Sequence, residues 1–402
     1  MSKRIIIIGG GTFQAIRNHL ALAAPAFGIT ARQIHSHLDG SELHLTKMCN
    51  WTSPLVTNED VENFIDELLL DKTVGTIILN AALCDYKALP IDDNNGWHGK
   101  RLKTSDGNIT IELTPTDKII GKIRKARPDI FLVGFKTTTN ETSENQFLIA
   151  LKMMKKTKCN LVLANDTVTR NNMIITPEET IYGETILRYS VIKELCEMIL
   201  DRHRLTYKRG EFIENTSVPF DNAPKSFQEV MNFLIDNGGY IENNGNGFTP
   251  GHFGYRQEPY STNFVSSQRG VNHNEVRENG MTGVFIDEES DSFVYMGDKK
   301  ASVGARSQAL LLKENPEYDF IIHTHNPLKE GSLIPTTPQK PFQCGSMECG
   351  INTLNNMGSF DNGMKAVFLE KHGINLLFKT TTKSEDVINF LKDNIELGIK
   401  IR

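Results

Sequence analysis

The chain of 402 residues contains no run of about 18 apolar residues, which excludes a membrane-spanning helix. It also lacks a basic excess: 44 Lys and Arg against 49 Asp and Glu leave a net charge of −5. General nucleic-acid binding needs a positive footprint and is not expected. The six cysteines, Cys49, Cys84, Cys159, Cys196, Cys344 and Cys349, form no C-x-x-C pair. A chain this long with scattered cysteines reads as free thiols in a reducing compartment, not as a disulfide scaffold. Near the N-terminus, only Ile5, Ile6, Ile7 and Ile8 follow the basic Lys3 and Arg4 before glycines begin. That run is too short for the apolar region of a signal peptide, and a cytoplasmic location is the expectation. With 39% hydrophobic and 23% charged residues, neither a disordered nor a collagen-like chain fits. The length calls for two domains.

In the first half, strand-like and helix-like segments alternate. Ile5 to Ile8 form a β-branched run that ends in Gly9, Gly10, Gly11 and Thr12, as a buried parallel strand entering a tight loop does. Helical spacing is compatible with 14–24 and clear at 58–70, and further helices are expected at 116–126, 145–157 and 186–203. Strands are expected at 74–82, 131–136 and 161–164. This alternation predicts an α/β fold with a doubly wound, Rossmann-like parallel sheet, whose ligands bind beyond the carboxyl ends of the strands. The pattern breaks at 207–224, a polar stretch without period that reads as a linker. Beyond it lies α+β texture, with a hairpin expected at 284–295, a strand at 320–325 and a terminal helix at 384–397. The expected domains are 1–206 and 225–402.

The Gly10, Gly11 and Thr12 loop admits two readings: a cradle of backbone N–H groups for a nucleotide phosphate, or a tight strand-to-helix turn. An ordered set of motifs follows it: Asn80-Ala-Ala-Leu-Cys-Asp85-Tyr86, Gly99-Lys100-Arg101-Leu102-Lys103, Leu113-Thr-Pro-Thr-Asp117-Lys118-Ile119, Val133-Gly134-Phe135-Lys136 and Leu163-Ala-Asn165-Asp166. In this order they resemble the phosphopantothenoylcysteine synthetase family, the phosphopantothenate–cysteine ligases. The resemblance implies carboxylate activation by a nucleotide, CTP or ATP with Mg²⁺, followed by displacement by an amine. It assigns Lys103, with Lys100 and Arg101 beside it, to the triphosphate, and Asn165 to the base or the intermediate. It places Asp85 near the nucleotide and its metal, and Phe135 in the wall of the pocket. Lys103 and Asn165 are thus the catalytic candidates of this half. The chain departs from the family in a shortened N-terminal segment, where Arg17 and Asn18 stand in for its Arg and Asn and its Ser-Ser-Gly piece is absent.

In the second half, His323 and His325 lie two apart in a strand-like run, so alternation puts both imidazoles on one face. With His372, which precedes Gly373, they make a three-histidine set with room for a fourth position, the pattern of a catalytic Zn²⁺ or related divalent ion. These pieces, together with the Gly345 to Glu348 segment, resemble the class II aldolase/adducin family. That resemblance implies a zinc-dependent sugar-phosphate aldolase or dehydratase, and a phosphate loop at Ser266, Ser267 and Gly270 with Ser302 near it. Arg256 and Arg269 are further candidates for phosphate charge. Gly304 stands where the aldolases carry a metal-bound Glu, and His252 stands where they carry an Asn. Glu348 sits at the offset of the acid/base Glu of the dehydratase members.

The combined expectation is a bifunctional metabolic enzyme acting on phosphorylated small molecules and a nucleotide, with no membrane or nucleic-acid partner, as a homodimer or homotetramer. A non-catalytic sensor of nucleotide or sugar phosphate, or a chain with one active domain, are the alternatives.

Overall fold

The computed structural model describes residues 3–89, 101–208, 210–242, 247–287 and 292–401. The chain divides into two units: one of 1–177 with 181–203, the other of 178–180 with 204–402. Among the described residues, no helix is long and apolar enough to cross a membrane.

The first unit runs β1 (Arg4–Gly11), β2 (Phe13–Arg17), β3 (Leu20–Ala23), α1 (Ile29–His37), β4 (Glu42–Leu45), α2 (Asn58–Leu70), β5 (Val74–Ala82) and β6 (Tyr86–Ala88). It continues through β7 (Leu113–Pro115), α3 (Ile119–Ala126), β8 (Phe131–Thr138), α4 (Ser143–Thr157), β9 (Leu161–Asp166), β10 (Asn172–Ile175), β11 (Ile181–Thr185) and α5 (Arg188–Arg202). Seven strands form a sheet in the order β11-β10-β9-β8-β5-β1-β4. β4, β1, β5, β8 and β9 are parallel, while β10 and β11 add an antiparallel edge. Strand residues alternate between two cores. Ile6, Ile8, Ile77 and Leu132 pack with Val61, Ile65, Ile123 and Leu151 of α2, α3 and α4. On the other face, Ile5, Ile7, Ile78 and Val133 pack with Ile34, Val191, Leu195 and Ile199 of α1 and α5. This is the doubly wound arrangement expected. Its strand order reverses between β5 and β4 on either side of β1, which puts the binding crevice of such sheets at the carboxyl end of β1.

Residues 14–24 depart from the helical expectation: they form the antiparallel β2–β3 hairpin, closed by a turn at Asn18 and His19. Helix propensity is a weak prior, and here long-range pairing overrides it. Phe13 N donates to Val56 O and Ala24 N to Thr12 O, so the segment must return on itself. Helix α3 begins at Ile119 and not at Thr116, because the Thr116 hydroxyl donates to Cys84 O (2.6 Å) and does not cap the helix.

The second unit runs β12 (Gly210–Glu214), α6 (Lys225–Asp236), β13 (His252–Arg256), β14 (Phe264–Ser267), α7 (Val276–Asn279), β15 (Met281–Asp287), β16 (Ser292–Gly297), α8 (Ala305–Glu314), β17 (Phe320–Thr324), β18 (Thr336–Thr337), α9 (Met347–Asn355), β19 (Gly358–Phe360), β20 (Met364–Leu369), β21 (Gly373–Phe378) and α10 (Ser384–Asn394). Its ten-stranded sheet has the order β12-β16-β15-β14-β13-β17-β21-β20-β18, with β19 on β20. Phe253, Phe320, Ile322 and Leu376 face Phe227, Met231 and Leu391 of α6 and α10. Phe264, Val284, Ile321 and Leu377 face Ala305, Ala309 and Leu312 of α8. The stretch 207–224 expected as a linker contains β12, which pairs in parallel with β16 at the sheet edge. Only five residues long and with none of them fully buried, the strand gives a pattern search little to find.

Candidate functional site

The imidazoles of His323, His325 and His372 converge, with ligand nitrogens all within 4.8 Å of one another. All three are buried, at 1%, 7% and 3% exposed. β17 supplies the first two: Phe320 and Ile322 point to one core, which leaves His323 and, just past the strand, His325 on the opposite face. His372 comes from the β20–β21 turn, where Leu369 pairs with Gly373 and His372 N donates to Leu369 O. Gly373 makes that approach possible. At φ 134°, a Cβ there would lie 1.9 Å from Thr324 O and 3.0 Å from His325 Cα.

His323 Nδ1 lies 2.8 Å from Ile374 O, so it carries the proton and donates it. The Nε2 lone pair is then left buried with no hydrogen-bond partner. A buried acceptor without a partner is costly, whereas a metal ligand is usually oriented by just such an Nδ1–H to a carbonyl. Burial and the neighbouring His372 push His323 well below the ordinary histidine range. Burial, then His372, His323 and the Lys400 ammonium, do the same to His325. Three buried imidazoles with ligand nitrogens this close are the donor set of a borderline divalent ion, and the residues present fit one.

A fourth imidazole, not singled out as a site by its sequence context, stands against the cluster. His252 is the cross-strand partner of His323, and the two rings stack at 4.7 Å. Gln308 Nε2 donates to His252 Nδ1 (2.8 Å), and Ser266 Oγ donates to Gln308 Oε1 (2.8 Å). A Cβ on Gly304 would meet His252 Cδ2 at 2.1 Å and Nε2 at 2.2 Å. The imidazole thus occupies the space that a side chain at 304 would need.

The expected phosphate loop is placed differently. Ser266 and Ser267 lie inside β14, 0% and 1% exposed, and Ser267 Oγ accepts from Phe253 N (3.3 Å). Both are buried strand residues, which corrects their expected placement in a phosphate loop. Arg256 is likewise spent on carbonyls: it donates to Tyr318 O, Ser261 O and Leu312 O. Ser302 and Gly270 stand at chain turns, with Ser302 N donating to Ser267 O and Gly270 at φ 68°. Arg269 N donates to Lys300 O. Glu348 lies in the first turn of α9, and its carboxylate accepts from Thr206 N (2.9 Å) and Thr206 Oγ1 (2.8 Å). It is not among the side chains that converge at the three histidines.

In the first unit, the Gly10, Gly11 and Thr12 N–H groups are used within the fold. Gly10 lies in the β1 ladder opposite Ala81, Gly11 N donates to Ala26 O (2.8 Å) and Thr12 N to Ala82 O (3.0 Å). Of the two readings of this loop, the bonds of Gly11 N and Thr12 N within the fold fit the tight turn. Thr12 belongs to a buried network instead. Its Oγ1 donates to Asn58 Oδ1 (2.6 Å), and Asn58 Nδ2 donates to Cys84 O (2.8 Å). The sequence reading missed Asn58 because Thr57 caps α2, which frees the Asn58 side chain to turn inward.

Phe135 and Asn165 lie half-buried on the neighbouring strands β8 and β9, Phe135 opposite Leu163 and Asn165 opposite Thr137. Next to Asn165, Asp166 fastens two loops: it accepts from Thr138 Oγ1 and from the N–H groups of Asn140, Glu141, Val168 and Thr169. Burial would raise its carboxyl, but these donors outweigh burial and hold it well below the usual range. Asp85 is exposed beyond β5 and accepts from Lys118 Nζ, a cation of the third motif. Lys103 and Arg101 are exposed in the segment before β7. Lys100 lies outside the described residues. All six cysteines are free.

Residues 43–185 match the family model of the DNA/pantothenate metabolism flavoprotein C-terminal domain. The chain is 26% identical over 174 residues to the "Coenzyme A biosynthesis bifunctional protein CoaBC" of Thermococcus kodakarensis, a stretch covering 40% of this chain. That stretch spans 41% of the relative's own length. Among solved structures, the DNA/pantothenate metabolism flavoprotein from Streptococcus pneumoniae is similar at 22% identity and TM-score 0.41, covering 50% of this chain and 97% of that one. A sugar-phosphate aldolase from Thermotoga maritima is similar at 15% identity and TM-score 0.27, covering 42% of this chain and 92% of that one. The N-terminal match falls on the family that the five ordered motifs resemble.

Proposed function

We propose that the chain is a bifunctional metabolic enzyme. In this reading the second unit is a zinc-dependent lyase, an aldolase or dehydratase, acting on a small phosphorylated carbonyl or hydroxy compound. The first is a carboxylate–amine ligase that uses CTP or ATP with Mg²⁺. The observation that carries the proposal is the convergence of the buried imidazoles of His323, His325 and His372. They would hold Zn²⁺ or a related ion, which when bound polarises a substrate oxygen. His323 is kept in the ligating tautomer by Ile374 O. Glu348, which accepts from Thr206 N and Oγ1, is the proposed acid/base group. For the ligase unit, support comes from the family match at 43–185 and from Phe135 and Asn165 lying on adjacent strands. Lys103 is the cation assigned to the triphosphate. The proposed partners are small phosphorylated substrates, a nucleotide and further copies of the chain, in the cytoplasm.

Metal analysis and turnover test the two units separately. The purified chain should retain about one equivalent of divalent metal, and His323→Ala should lose it. Incubation with CTP or ATP, a carboxylate and an amine should release pyrophosphate, and Lys103→Gln should stop that release. Absence of metal from the wild-type chain refutes the lyase reading. Absence of pyrophosphate with every acid tried refutes the ligase reading. One observation favours a second reading with a single active unit: the N–H groups of Gly11 and Thr12 are already engaged by Ala26 O and Ala82 O. In that reading the lyase turns over and the first unit only binds nucleotide.

A further inference from the structure

The side chains that gather around the three histidines carry an unusual charge balance. Among the described residues, the convergent set holds three imidazoles and no carboxylate. The carboxylate expected from sequence, Glu348, is engaged by Thr206. At 304, the place of a family carboxylate, there is no side chain, and His252 fills the space. A divalent ion on three neutral ligands keeps its full double charge, and a low-dielectric site favours an anionic ligand at the open position.

His252 is built to meet such a ligand. Gln308 Nε2 donates to its Nδ1, which leaves the imidazole proton on Nε2. Ser266 Oγ donates to Gln308 Oε1, at the end of the amide away from the ring. Both Ser266 and Gln308 are 0% exposed, so the relay is held without water. Pairing of β13 with β17 stacks the ring on His323. Among the described residues, no hydrogen bond engages Nε2.

We propose that His252 Nε2–H is a substrate-positioning donor that hydrogen-bonds a small oxyanion, of the 2-hydroxycarboxylate or enediolate class, held at the three-histidine centre. The proposal rests on the metal reading given above. It assigns to a neutral donor the place where a carboxylate base would otherwise stand. The site is therefore one that captures and orients an oxyanion.

The full-length chain loaded with Co²⁺ and titrated with glycolate tests this. The visible Co²⁺ bands of the wild-type chain should shift with saturable glycolate binding. In His252→Phe, which keeps an aromatic ring against His323, glycolate affinity should fall at least about tenfold, the usual scale for a hydrogen bond to a charged group. Co²⁺ affinity should stay within about threefold, since His252 is not among the ligands. Gln308→Met leaves His252 in place but removes the donor that sets its tautomer, so its glycolate affinity should fall between the two. Unchanged glycolate affinity in both variants, or no band shift in the wild-type chain, overturns the proposal. Failure of the wild-type chain to bind Co²⁺ overturns the metal reading itself and is a separate result. If His252→Phe does not fold, Gln308→Met alone decides.

Discussion

Replacing Gly373 by alanine probes the metal centre through the backbone, without touching a ligand. The added methyl would lie 1.9 Å from Thr324 O, 2.9 Å from Thr324 C and 3.0 Å from His325 Cα. All three are backbone atoms of the segment that carries two of the histidines, so no side-chain rotation relieves the overlap. The φ of 134° adds strain of about 1–3 kcal/mol for a residue with a Cβ. Forced overpacking adds about 1–3 kcal/mol. Separating β21 from the end of β17 also strains the bond from His323 Nδ1 to Ile374 O, worth about 1 kcal/mol. The expected loss is about 4 kcal/mol, read from urea unfolding followed by circular dichroism. Because the shift carries His372 away from His323 and His325, bound metal should fall well below one equivalent. A variant that keeps full metal and loses less than about 1 kcal/mol would refute the claim that Gly373 sets the convergence.

Acid should destabilise the second unit through His273. Burial, partly offset by donation from Nε2 to Gly251 O (3.0 Å), lowers this group to about 4, against about 6.5 when unfolded. Between these values the unfolded chain binds more protons, so stability is present above pH 6.5 and is lost as pH falls through 4, by about 3 kcal/mol. His273→Gln should flatten the slope of unfolding free energy over that window by up to one proton, and an unchanged slope would contradict the assignment. In the first unit, Asn58→Ala removes both arms of the Thr12 and Cys84 network and should cost about 2–3 kcal/mol, measured by thermal unfolding. Glu348→Gln keeps the size of the side chain and one acceptor for Thr206. If Glu348 transfers a proton, lyase turnover should fall by about 10²-fold or more with metal content unchanged. Equal loss of metal and activity would point to a structural role.

Much of the architecture was legible in local pattern. The run Ile5 to Ile8 and the helical face of 58–70 carry their own periodicity, and the core confirms them, with Ile6 and Ile65 on one side and Ile7 and Ile34 on the other. The edge strand β12 was not legible, since it is short and buries none of its residues fully. Nor was the β2–β3 hairpin, whose alanine-rich residues suit a helix in isolation and are turned by bonds to Val56 and Thr12.

Sequence alone determined what depends on neighbours along the chain: the alternation of a doubly wound sheet, and the placement of His323 and His325 on one face by a two-residue period. It also supplied His372 as a candidate, through its setting before Gly373. Tertiary structure decided which polar groups are free to act. A hydroxyl, an N–H or a carboxylate serves a ligand only if the fold has not already claimed it. Thr12, Ser266, Ser267, Arg256 and Glu348 are all claimed by residues distant in sequence. His252 gains its place in the same way, through strand pairing with His323 and through the space left at Gly304.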